Sequence, residues 1–135
     1  MNDRSSFSEF IMTSVPEHEH LSSKIQVVAI AVAGKKARDI KGILVAGLTL
    51  IADAFVLCTV NSEPQLKAVT NAAREAMREA GYAVQCVEGD HRCGWTVVDF
   101  GDVILHIFRD QARVFYDLDR MWGDAPEIDL HLDET

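Results

Sequence analysis

Residues 95–108 read WTVVDFGDVILHIF, and their alternation decides how the surrounding chain folds. Two runs rich in β-branched and aromatic residues, 95–100 and 103–108, flank Gly101-Asp102, a dipeptide suited to a two-residue hairpin turn. Such a turn pairs Phe100 with Val103, Asp99 with Ile104, Val98 with Leu105, Val97 with His106, Thr96 with Ile107 and Trp95 with Phe108. Strand side chains alternate, so two faces follow. One carries Thr96, Val98, Phe100, Val103, Leu105 and Ile107 and belongs against a core. The other carries Trp95, Val97, Asp99, Ile104, His106 and Phe108, large apolar groups with one acid and one imidazole. That mixture is typical of a protein-binding patch. The competing expectation is a face covered by a helix, with Asp99 and His106 sharing a local hydrogen bond. Six of the ten aromatic residues (Trp95, Phe100, Phe108, Phe115, Tyr116 and Trp122) fall within 95–122, which favours a working surface here.

Outward from the hairpin, residues 111–122 read as a short helix with Phe115, Leu118 and Trp122 on one side. On the N-terminal side, 89–94 is a polar loop and 82–88 a candidate strand. The helix from Glu63 to Ala80 has the clearest signals. Ser62 and Gln65 form a capping box, Pro64 suits a first turn, and Gly81 ends it. Its stripe is Leu66, Val69, Ala73, Met77 and Ala80. Asp53 to Thr59 reads as a buried strand, and 39–48 as a strand weakened by Gly42. Ser22 or Ser23 caps a helix running to about Ala33, with Gly34, Lys35 and Lys36 at its end. Residues 1–21, which include Pro16 and show no sustained period, read as a mobile N-terminal arm. The order is helix, two strands, long helix, three strands, short helix, an α/β single domain with a mixed sheet.

The 135-residue length fits one domain, and 48% hydrophobic with 25% charged residues excludes a wholly disordered chain. No apolar run is long enough to span a bilayer, and no basic segment followed by an apolar stretch marks a secretory leader. Three cysteines, with Cys58 in an apolar strand, indicate reduced thiols and a cytoplasmic location. The net charge of −8 is unevenly spread. Residues 1–20 set Arg4 against Asp3, Glu9, Glu17 and Glu19. Residues 123–135 hold Asp124, Glu127, Asp129, Asp133 and Glu134 and no base. The span 21–122 is neutral, with 12 bases and 12 acids. Both ends are therefore acidic tails, the second at 126–135, and little direct contact with nucleic acid is expected.

Catalytic signals are weak. Cys86, His91 and Cys93 lack zinc-ligand spacing and an evident fourth ligand. Asp99-Phe100-Gly101 matches a kinase magnesium motif by letters only, and Gly34-Lys35-Lys36 lacks the rest of a phosphate loop. Asp53, Glu88, Asp99 and Asp102 stand at no spacing that recommends a carboxylate pair. No nucleophile, metal or cofactor site is expected, and a binding protein is favoured over an enzyme.

The segments KKARDIKGILVAGLTLIADAFVLCTVNS, QLKA, VEG, GWTVVDFGDVILHIF and ARVFYDLDRMWGDA, lying between about Ser22 and Ala125, together resemble the ribosomal silencing factor family, also called Iojap-like proteins. The resemblance implies a mixed five-stranded sheet flanked by helices, nucleotidyltransferase-like but without the catalytic motif, over a domain of residues 22–125. It implies a translational repressor that binds the large ribosomal subunit through ribosomal protein L-fourteen. Bound there, the factor would sterically block joining with the small subunit and slow translation when nutrients fall. No reaction is implied, and a homodimer of the free chain is a further partner.

Asp53, Trp95, Asp99, Gly101, Asp102, His106, Phe108, Arg113, Tyr116, Leu118 and Trp122 fall on the family's pattern. Of these, Trp95, Asp99, His106, Phe108 and Tyr116, with Val97 and Ile104 from the same hairpin face, are the expected partner-binding set. Asp53, Gly101, Asp102, Arg113, Leu118 and Trp122 are the supporting set. Leu44, Ala54 and Val60 depart from the pattern. The alternative is a diverged nucleotidyltransferase or nucleotide-binding module using Ser62 at a helix N-terminus as its phosphate site.

Overall fold

The computed structural model describes residues 7–90 and 92–132, with side chains described from His20 onward apart from Asp90. The hairpin register holds at every predicted pair between 95 and 108, from Trp95 opposite Phe108 to Asp99 opposite Ile104. Phe100 N–H donates to Val103 O at 2.9 Å to close the turn. Gly101 takes a φ of +96° there, a conformation L side chains rarely adopt.

Ten elements follow in order: α1 (Phe7–Gly34), β1 (Arg38–Leu44), β2 (Ala54–Val60), α2 (Glu63–Glu79), β3 (Cys86–Asp90), β4 (Trp95–Asp99), β5 (Val103–Arg109), α3 (Asp110–Tyr116), α4 (Leu118–Met121) and β6 (Glu127–Ile128). The sheet has six strands in the order β3-β4-β5-β2-β1-β6. Only the central pair, β2 with β5, is parallel; the other neighbours are antiparallel. The predicted mixed α/β domain is thus observed, with one strand more than expected.

All seven residues of β2 are buried, as a central strand covered on both faces requires. Ala54, Val56, Cys58 and Val60 face the main core with Val98, Phe100, Val103, Leu105 and Ile107. That core is closed by Ile25, Val28, Ala29 and Val32 of α1 and by Leu66, Val69, Ala73 and Met77 of α2. Burial pushes the Cys58 thiol up to about 12, so it packs as an apolar group. On the opposite side of the sheet, Phe55, Leu57, Ile104 and Phe108 meet Ala112 and Leu118 in a second, smaller core.

Helix α2 starts as its capping signals predict. Ser62 Oγ accepts from Gln65 N at 3.2 Å, while Gln65 Oε1 accepts from Asn61 N at 2.7 Å. The return bond goes one residue further back than in the usual box. Ala80 is exposed and falls off the apolar stripe. Strand β3 occupies 86–90, later than the predicted 82–88, because residues 81–85 are taken up by the exit from α2. At Gly89 (φ +134°) an added Cβ would run into the Trp95 carbonyl and the backbone of Thr96, so β3 can lie this close to β4 only with glycine there.

Both predicted boundaries of the domain move outward. Helix α1 begins at Phe7, runs through Pro16, and is already helical where an arm without regular structure was expected. Leu21 packs on the main core, so the boundary at residue 22 cuts a packed helix. Residues 1–6 lie outside the described residues. At the other end, the segment assigned to an acidic tail supplies β6, which pairs Gly42 with Ile128 and Ile43 with Glu127. Leu130 is buried, and Leu132 packs against the same core. Gly42 explains the seat of Leu130: a Cβ on residue 42 would sit 2.9 Å from its Cδ2. Net acidity and an absence of long periodicity concealed a strand only two residues long.

Leu130→Ala is expected to lower stability by about 2 kcal/mol, the low end of buried leucine truncations because the site lies at the sheet edge. Removing residues 126–135 should lower it further, by taking β6 as well. Urea denaturation of the two chains beside the parent checks both, and an unchanged midpoint on truncation would restore the tail reading.

Candidate protein-binding face

The second face of the β4–β5 hairpin is graded in depth. Phe108, Ile104 and His106 are buried, Trp95 and Val97 are half-buried, and Asp99 is half-buried beside the turn. The interface patch and the helix-covered face that the alternation leaves open are therefore each found in part. α3 and α4 cover the inner part of the face and leave the β4 side accessible. Trp95 is held on several sides, its ring centroid 5.3 Å from that of Phe108, 4.6 Å from Tyr116 and 5.9 Å from His106. These neighbours come from β5 and from the end of α3, so register and helix placement together fix the indole.

Asp99 and His106 do not bond to each other. Asp99 Oδ1 accepts from Gly101 N at 2.7 Å, an Asx-type contact that tightens the turn. His106 Nδ1 accepts from Trp95 Nε1 at 3.2 Å. That bond requires the proton of the neutral ring on Nε2, a buried atom with no hydrogen-bond partner among the described residues. Burial pushes the His106 pKa down to about 4.

The supporting residues are spread over the fold. Asp53 and Asp102 meet through the main chain, Asp53 N donating to Asp102 O at 2.8 Å. The Asp102 carboxylate holds Lys24 of α1 at 2.6 Å. Arg113 ties α3 to the sheet, donating to Thr59 Oγ1 at 2.9 Å and to Asp39 O at 2.7 Å. Its other nitrogens grip both carboxylate oxygens of Asp119 at 3.0 Å. The Arg113 hydrogen bonds hold the Asp119 carboxyl below its ordinary range. Leu118 is buried, and Trp122 sits edge-on to Phe55 at 5.4 Å.

The predicted single helix over 111–122 is two short ones. Asp117 between them takes φ +52°, and its side chain caps α4 through Arg120 N. Phe115 does not join the inner side expected of it: it is 79% exposed, and Tyr116 takes the place beside Trp95. Phe55 was missed as a member of the aromatic cluster, although its ring lies 4.7 Å from that of His106. The signal was present in the alternation of β2, but only its parallel register with β5 brings the two residues together.

Arg113→Ala is expected to cost about 2 kcal/mol, since it removes the donor from Thr59 and a main-chain carbonyl and leaves Asp119 with only the looser Lys41 pair at a partly exposed site. Arg113→Lys should recover little of this, because an ammonium cannot reproduce the bidentate fork. Thermal and urea midpoints of the two variants test the pair.

A cleft of about 580 Å³ opens at the carboxyl ends of the parallel strands, between Asn61, Arg109, Gln111 and Phe115. Its only carboxylate among the described lining residues is Asp110, which Arg38 holds at 2.6 Å. At the start of α2 the Ser62 hydroxyl is engaged by Gln65, which weakens the nucleotidyltransferase reading. Among the described residues no three His, Cys, Asp or Glu side chains are grouped to hold a metal. Cys86 and Cys93 are exposed and His91 is outside the described residues. No helix among the described residues is long and apolar enough to cross a membrane.

Fold and face together define a mixed-sheet α/β domain that presents a braced aromatic surface at one side of its sheet. The chain belongs to the ribosomal silencing factor family: the family model "Ribosomal silencing factor during starvation" matches residues 18–135. A ribosomal silencing factor from Bacillus subtilis is 37% identical over 108 residues, covering 80% of this chain and 92% of that one. Its counterpart from Halalkalibacterium halodurans is 36% identical over 106 residues, covering 78% and 91%. A crystal structure from Chromobacterium violaceum superposes with a TM-score of 0.70 at 28% identity, covering 82% of this chain and 92% of that one. The family match reaches residue 135, in keeping with the place of β6 inside the domain.

Proposed function

We propose that this chain associates with the ribosome and silences translation. It binds the large subunit through ribosomal protein L-fourteen, sterically blocks joining with the small subunit, and so slows translation when nutrients are limiting, in the cytoplasmic compartment where ribosomes work. The observation that carries this reading is the family match over residues 18–135. The half-buried edge formed by Trp95, Val97, Asp99 and Tyr116 suits the contact. Ile104, His106 and Phe108 act beneath it, as its floor. No reaction is assigned. Self-association of the free chain is a secondary reading, supported by Leu48, Leu50 and Ile51, which stand exposed on one loop.

The test is co-sedimentation with purified large subunits, together with gradient analysis of subunit joining. Trp95→Ala is expected to weaken binding by about 30-fold, the usual effect of truncating an anchoring aromatic. Binding should change little with salt, because the acidic protein has few phosphate contacts to make. Parent chain that stays at the top of the gradient, or that leaves subunit joining unaffected, defeats the reading.

A further inference from the structure

We propose that His106 is a positioning residue for Trp95: it takes up the indole N–H, fixes the ring, and leaves only carbon at the exposed edge for a partner to contact. This rests on the reading that the face docks a protein.

Three observations converge on it. First, the bond from Trp95 Nε1 to His106 Nδ1 is 3.2 Å long, and it uses the indole's single donor. Second, Phe108 below and Tyr116 beside restrict the same ring, and the hydrogen bond adds the one directional contact to that packing. Third, the arrangement carries a penalty. To accept at Nδ1 the imidazole must keep its proton on Nε2, which is buried without a partner among the described residues. A phenylalanine would occupy similar space with no stranded polar atom. A histidine that leaves a buried N–H unsatisfied suits a site selected for orientation more than for stability.

The chemistry of the partner follows. An indole with a free outward N–H would call for an acceptor opposite it. Here the donor is satisfied internally, so the matching surface presents an aliphatic side chain or the alkyl stem of a lysine or arginine. Protonation would undo the device, because an imidazolium donates from both nitrogens and cannot accept from Trp95. The rings around His106 are Phe55, Trp95 and Phe108, and its cross-strand neighbours Val97 and Leu57 are apolar. Asp99, on the same face, is engaged by Gly101 N, and Arg113 and Asp119 are engaged with each other. None of these groups offers the imidazolium a counter-ion.

The experiment is a proton–nitrogen correlation spectrum of the full chain, which has two indole signals, with Trp122→Phe used to assign them. The Trp95 indole proton should exchange with solvent at least about tenfold more slowly than an exposed one, in keeping with a bonded and partly buried donor. His106→Phe should abolish that protection, and His106→Asn, whose carboxamide oxygen falls near the Nδ1 position, should retain it. In sedimentation with purified large subunits, His106→Phe should lose about tenfold in affinity, the worth of one oriented hydrogen bond, and His106→Asn much less. In the parent, acidification from pH 7 to 3.5 should shift the Trp95 indole signal before that of Trp122, as the imidazole stops accepting from it, which keeps the proposal testable if a variant fails to fold. A Trp95 proton that exchanges freely in the parent overturns the proposal, as does His106→Phe binding like the parent. If the parent itself does not sediment with the subunit, the docking reading falls and takes the partner chemistry with it; the indole signal then decides alone whether His106 positions Trp95.

Discussion

Phe108→Ala is expected to destabilise the chain by about 3–5 kcal/mol, the range for aromatic truncation in a closed core. Phe108 is fully buried between the sheet and α3, and its ring is the floor on which Trp95 stacks and beside which His106 lies. Neighbouring strands are held by their ladders and cannot collapse into the vacated space, so the cavity persists. The informative control is Phe115→Ala. It removes the same atoms seven residues along the chain from a side chain that is 79% exposed, and should shift stability by no more than about 0.5 kcal/mol. Denaturation of the two variants in parallel separates burial from residue type. Equal losses would mean that α3 packs differently from the arrangement described.

Acid provides the second large effect. The buried His106 is neutral in the fold, with its pKa pushed down to about 4, while in the unfolded chain it titrates near its ordinary value of 6.5. Between those values the unfolded state binds the extra proton, so stability rises with pH across this window. The full stability is present above about pH 6.5, and up to about 3 kcal/mol of it is lost by about pH 4. Below that both states are protonated at this site and the loss ends. Asp119, with its pKa lowered chiefly by the Arg113 hydrogen bonds, acts in the same direction at more acidic pH, as its carboxylate is protonated. The His106 share is isolated by subtracting the curve of His106→Phe, which should lack the slope between pH 6.5 and 4. Two superimposable pH profiles would show that the imidazole is hydrated in solution.

The hairpin was legible because two signals agreed: period-two alternation on both sides of Gly101-Asp102 allowed a single register, and that register assigned each side chain to a face. Helix α2 was legible for the same reason, its cap and its apolar stripe marking the same start. What alternation could not supply was depth. It placed Trp95, Ile104, His106 and Phe108 together, but their depth depends on how α3 and α4 pack over them, and the break between those two helices rests on a left-handed residue at Asp117. Aspartate tolerates that conformation, yet nothing in the adjacent residues requires it. The expected Asp99–His106 bond failed for a related reason. Both groups found nearer partners, a turn amide and an indole, that a two-strand diagram does not contain. The first turns of α1 are hidden in the sequence because residues 1–21 are mixed polar, include Pro16 and show no sustained period. The edge strand β6 was missed because two residues are too few to show a period.

The parallel pairing of β2 with β5 also governs the order in which the molecule can be assembled. Ala54 must find Val103, with α2, β3 and β4 strung between them, whereas β3, β4 and β5 form a meander whose turns close locally. Local pairings carry the smaller loop-closure entropy and form first. The meander is then a platform whose inner edge, along β5, stays bare until β2 arrives. During that interval an apolar strand with unpaired amides faces solvent, open to pairing with the same edge of another chain. The central seam, buried on both faces in the finished domain, closes only after the meander has formed and is the point at which a crowded folding reaction would go astray.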